Sequence, residues 1–125
     1  MRIAIGLTAD HALNTAHFGE SRYFRIYDIS DGLLKQVDER ENPVPGHHIP
    51  GKGQTIIQTI KDCQAIVVRS IGRGALTRMP RQGIDIFLTC ARSLEEVENT
   101  LGASGLDAFK KLNPATGKFE DMANV

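Results

Sequence analysis

The chain has 125 residues, 41% of them hydrophobic and 24% charged, which fits one soluble domain able to bury its own core. Fifteen basic residues balance fifteen acidic ones, so no overall field draws in nucleic acid or an anionic membrane, and neither is expected as a partner. Two cysteines, Cys63 and Cys90, are too few for a disulfide framework and lack metal-pair spacing.

In chain order, "RIAIGL" is a short β-branched run that predicts a central strand over residues 2–7. Its apolar length is too small for a signal peptide or a membrane span, so a cytoplasmic protein is expected. The next stretch, "TADHALNTAHFGES", has no hydrophobic period and reads as a long surface loop, a kind of segment that is often functional. "YFRIYDIS" alternates Phe24 and Ile26 against Tyr23, Arg25 and Tyr27 and predicts a second strand. The "DG" at 31–32 signals a hairpin into "LLKQVDERE", a charged strand suited to a sheet edge.

"NPVPGHHIPGKG" holds three prolines and three glycines in twelve residues and can be neither helix nor central strand. The rhythm then changes. "QTIIQTIKDC" sets Ile56, Ile57 and Ile60 on one helical face, "QAIVV" is a buried strand, and "GRGALTRM" opens a short helix. "GIDIFL" is a further strand. "SLEEVENTL" is a helix that begins with Ser93 and Glu96 at capping-box spacing. From Gly102 onward the composition suggests a loosely packed tail, which is set at residues 104–125, after a domain over 1–103. The order predicts an α/β fold with a five-stranded mixed sheet flanked by helices.

All four histidines, His11, His17, His47 and His48, fall in the two long loops. No H-E-x-x-H pattern is present, and adjacent His47 and His48 are awkward for one ion, so a structural zinc site is not indicated. One or two imidazoles could still hold a preformed cluster with exposed metal, since such a cargo brings most of its own ligands. "SIGRGALTR" runs a strand into Gly72, Arg73 and Gly74 and then a helix, which presents free N–H groups to an anion. It lacks the P-loop and dinucleotide spacings, and the glycines equally serve a tight turn. Gly51, Lys52 and Gly53 precede a helix with the same double meaning. Ser21, His17 and a carboxylate share one loop, but no nucleophile-elbow pattern supports a hydrolase, so a non-catalytic protein is expected.

With the opening "IAI", the segment "HFGESRYFRIYDI", the "DCQAIVVRSIG" strand-turn and "GIDIF" before "SLEEV", residues 2–101 resemble the dinitrogenase iron–molybdenum cofactor biosynthesis family. The resemblance implies a ribonuclease H-like three-layer fold used for binding, and a carrier role for an anionic iron–sulfur or iron–molybdenum-type cofactor or its precursor. Members unconnected with nitrogen fixation are common in such a family. The "HFG" histidine maps onto His17 as the metal ligand. Gly19, Arg22, His47, His48, Gly72, Arg73 and Gly74 complete the implied cofactor-binding set, and cofactor-assembly or acceptor proteins are the implied partners. Arg69 and Ser70 depart from the small residues usual in the "GGIG" form of this turn, and Pro80 falls where relatives continue a helix. The alternative is a regulatory or interaction module that binds a nucleotide or phosphate at the Gly72–Gly74 turn.

Overall fold

A computed structural model describes residues 1–46 and 49–122. Its first strand, β1 (Arg2–Leu7), is apolar almost throughout and is flanked on both sides by other strands. β2 (Tyr23–Ser30) runs antiparallel to it, and β3 (Leu33–Glu41) runs antiparallel to β2 at the sheet edge. The Asp31–Gly32 turn between them puts both residues at positive φ, as the sequence signal requires. On the other side of β1 lie two parallel strands, β4 (Ala65–Val68) and then β5 (Asp85–Leu88).

Because side chains alternate across a strand, one sheet has two apolar faces to cover. Ala4, Phe24, Ile26, Ile66 and Ile86 form one face. Ile56, Ile57 and Ile60 of helix α1 (Lys52–Thr59) and its end, with Met79 of α2 (Arg73–Arg81), pack into the same cluster. Ile3, Ile5, Tyr27, Val67 and Phe87 form the other face, against Val97 and Leu101 of α3 (Leu94–Ser104). Ser93 caps α3 by accepting from the Glu96 N–H at 3.2 Å, as its spacing predicts. Pro80 lies in the last turn of α2, which ends one residue later.

The expected five strands are corrected to seven. β6 (Lys110–Asn113) pairs antiparallel with β5, and β7 (Lys118–Asp121) pairs with β6, giving the order β3-β2-β1-β4-β5-β6-β7. This hairpin arises from the segment expected to be a loose tail, yet Phe109 and Leu112 within it are only 6% and 4% exposed. The sequence hides it because both strands are four residues long and mostly polar, so each needs only one or two apolar anchors.

The loop after β1 is also better fixed than its composition implies. Leu13 and Phe18 are buried, and Phe18–Glu20 forms a 3-10 turn. Ser21 is fully buried; its hydroxyl donates to Phe18 O at 2.7 Å and accepts from Asn14 at 2.9 Å. Asn42 donates to the Gly19 and Ser21 carbonyls at 3.1 and 2.8 Å, which ties this loop to the chain leaving β3. Hydrogen bonding by buried Asn and Ser thus supplies the order that apolar periodicity does not.

Candidate functional site

β1 and β4 are parallel neighbours, so the loops leaving their carboxyl ends emerge side by side, the usual place for ligands in open α/β sheets. Here the two loops join. His17 and Ser70 form an isolated parallel bridge, and the Phe18 N–H donates to Ser70 O at 3.0 Å. The His17 Nδ1 lies 2.7 Å from Ser70 Oγ, and a Cβ placed on Gly72 would stand 3.8 Å from His17 Cδ2. The exposed imidazole is therefore held between a hydroxyl and a glycine turn.

His17 forms part of the wall of an open cavity of about 460 Å³, within the range of small-molecule and cofactor sites. Gly19, Gly72 and Gly74 share that wall, so four members of the expected set come together. His47 and His48 lie outside the described residues. Arg22 and Arg73, also in the expected set, do not line the cavity. Arg22 is exposed beyond the far end of the loop, where its N–H pairs with Leu7 O, and Arg73 is exposed at the start of α2. Arg69 is turned away, donating to Ala91 O at 2.5 Å.

The cations in the wall are Lys52 and Arg78, with the Glu20 carboxylate also present. Lys52 was expected ahead of α1 but forms its first residue, and its ammonium donates to the Gly46 carbonyl. Arg78 lies across Gly53, where a Cβ would meet its Nη1 at 2.4 Å. The sequence signal for Arg78 was its spacing: four residues after Gly74, it projects from the same helical face. α1 and α2 both begin at the cavity without a side-chain cap, so the N–H groups of two first turns add positive potential. Among the described residues no three His, Cys, Asp or Glu side chains gather around a point that could hold a bare metal ion. The wall suits a cargo that carries its own negative charge and needs one or two protein ligands. Cys63 is buried and does not line the cavity, and burial with the neighbouring Asp62 pushes its thiol up to about 12.

Comparison with known proteins gives the same region a family. The family described as "Dinitrogenase iron-molybdenum cofactor" matches residues 1–104. The chain belongs to it. An iron–molybdenum cofactor family domain is thereby associated with cofactor biosynthesis or binding. Another relative is the uncharacterized protein MJ0580 of Methanocaldococcus jannaschii, 27% identical over 107 residues, which cover 85% of this chain and 91% of that protein.

Solved structures share the fold of this family domain. The crystal structure of PH0822 superposes with a TM-score of 0.67 at 26% identity, over 85% of this chain and 94% of that one. The NMR structure of Thermotoga protein TM1290, described as a candidate NifB protein of the DUF35 family, gives 0.61 at 20% identity, over 89% and 92%. The apo orange protein of Desulfovibrio gigas gives 0.63 at 14% identity, over 84% and 89%. Among the described residues no helix is long and apolar enough to cross a membrane.

Proposed function

We propose that this domain is a non-catalytic carrier that holds an anionic iron–sulfur or iron–molybdenum-type cofactor, or a precursor of one, in the cavity at the carboxyl ends of β1 and β4. The observation that carries this reading is the composition of the wall: one oriented imidazole, two cations and two helix N-termini without side-chain caps around one recess. His17 supplies the bond to metal. Lys52, Arg78 and the N–H groups of α1 and α2 offset the negative charge of the cargo. Cytoplasmic cofactor-assembly or acceptor proteins are the partners that such a carrier serves.

The strand order β3-β2-β1-β4-β5, antiparallel and then parallel, supports the ribonuclease H-like fold that the family resemblance implies. The state of Ser21 supports a binding role over hydrolysis. A nucleophile paired with His17 would need an accessible hydroxyl, and this one is fully buried and donates to Phe18 O.

Anaerobic titration with isolated iron–molybdenum cofactor, scored by visible absorption and metal content, tests the reading. Wild-type protein binds it, and His17→Ala weakens binding tenfold or more, about 1.4 kcal/mol, with thermal stability nearly unchanged. Equal affinity in both proteins would remove His17 from the site. The second reading, a nucleotide or phosphate on the Gly72–Gly74 turn, draws on the uncapped start of α2. It gains if ATP or phosphate raises the melting temperature while the cofactor does not bind.

A further inference from the structure

We propose that Ser70 is a positioning residue that fixes His17 in the Nδ1–H tautomer and so presents Nε2, with its lone pair, to a metal atom at the cavity edge. This rests on the carrier reading for its purpose but not for its chemistry. A neutral imidazole has one protonated and one bare nitrogen, and the partner of the first decides what the second can do.

Among the described residues, the hydrogen bond of the His17 ring is its 2.7 Å contact with Ser70, and it engages Nδ1. Cδ2, the carbon bonded to Nε2, faces Gly72, itself part of the cavity wall. The ring edge carrying Nε2 is thus the one at the recess. If Ser70 Oγ accepts from Nδ1–H, that edge is a metal ligand. If Ser70 donates to a bare Nδ1, the same edge is an N–H donor and can only hydrogen-bond to an anion.

The backbone makes the choice a property of the side chain. The His17–Ser70 bridge and the Phe18 N–H bond to Ser70 O join the loops through main-chain atoms, so the hydroxyl is not needed to hold them together. Its separate contribution is to orient the ring.

The test is nitrogen NMR on ¹⁵N-histidine-labelled protein without cargo at about pH 8, where an ordinary imidazole is neutral. The wild type is expected to show His17 Nδ1 protonated and Nε2 bare. Ser70→Ala should lose that preference, and Ser70→Thr, which keeps the hydroxyl, should restore it. In cofactor titrations Ser70→Ala should bind about 10–100-fold more weakly, the usual loss when a ligand histidine loses its orienting partner, with Ser70→Thr close to wild type. A wild-type His17 protonated at Nε2, or a tautomer indifferent to Ser70→Ala, overturns the proposal. Should Ser70→Ala not fold, the wild-type and Ser70→Thr spectra decide it. Failure of the cofactor to bind while the Nδ1–H signature depends on Ser70 would sink the carrier reading and leave this one standing.

Discussion

At the scale of single residues, the loop that carries His17 is set by what Gly6 lacks. A Cβ at Gly6 would stand 2.0 Å from Ser21 Oγ and 3.1 Å from Ser21 Cβ, and Ser21 is fully buried with both of its hydrogen bonds spent inside the loop. An alanine at this position forces the hydroxyl out of its place, breaking the bonds to Phe18 O and Asn14. Gly6→Ala is therefore expected to cost about 2 kcal/mol or more in urea denaturation, from overpacking combined with an unsatisfied polar group. It should weaken cofactor binding as well, because Asn14 also donates to His17 O at 3.0 Å. An unchanged denaturation midpoint would show that the loop relaxes around the extra methyl. The histidine and its glycines were legible in the sequence as loop residues of unusual chemistry. Ser21 and Asn42, which hold the loop still, were not, because hydrogen bonds between Asn42 and the Gly19 and Ser21 carbonyls leave no periodic trace.

Among elements, the C-terminal hairpin shows how little sequence pattern an edge requires. Leu112 on β6 packs into the cluster beneath α1 and α2, while Lys110 and Lys111 pair with Leu88 and Phe87 of β5. Truncating Leu112 to alanine should cost about 2–5 kcal/mol, as for other buried leucines, and a loose tail would show almost none. Cofactor affinity should stay near wild type, since Leu112 is not part of the cavity wall. A stability change below measurement error would return residues 104–125 to the status of an appendage. The two helices at the site show the opposite case. Their apolar stripes predicted their existence, but their importance here lies in their first turns, where Gly51 at φ 75° and Gly72 in extended backbone provide no side-chain cap.

For the whole molecule, charge is arranged by end. At the end of β1 away from the cavity, Arg40 grips Asp62 at 2.6 and 2.7 Å, and Arg2 reaches Asp62 at 2.9 Å and Asp28 at 2.8 Å. The hydrogen bonds from Arg40 and Arg2 hold the Asp62 carboxyl well below the usual carboxylate range. A depressed carboxylate stabilises the fold above its unfolded value near 4, and that contribution is lost as pH falls below it. Urea midpoints followed from about pH 6 to pH 2 should therefore drop, and Asp62→Asn should start lower at neutral pH with a flatter acid limb. Parallel curves would assign the acid response to other groups. Arg40 also donates to Thr59 O at the end of α1, so this network ties the edge strand to the helix that begins at the cavity. Local pattern alone determined the order of strands and helices as far as α3, the two apolar faces of the sheet and the place of His11 and His17 in the loop after β1, because periodicity and turn chemistry act between residues a few positions apart. Tertiary structure alone decided that the loops after β1 and β4 meet, that Ser70 holds His17, and that Lys52 and Arg78, not Arg22 and Arg73, face the recess. Those outcomes depend on strand pairing and side-chain reach between segments distant in sequence.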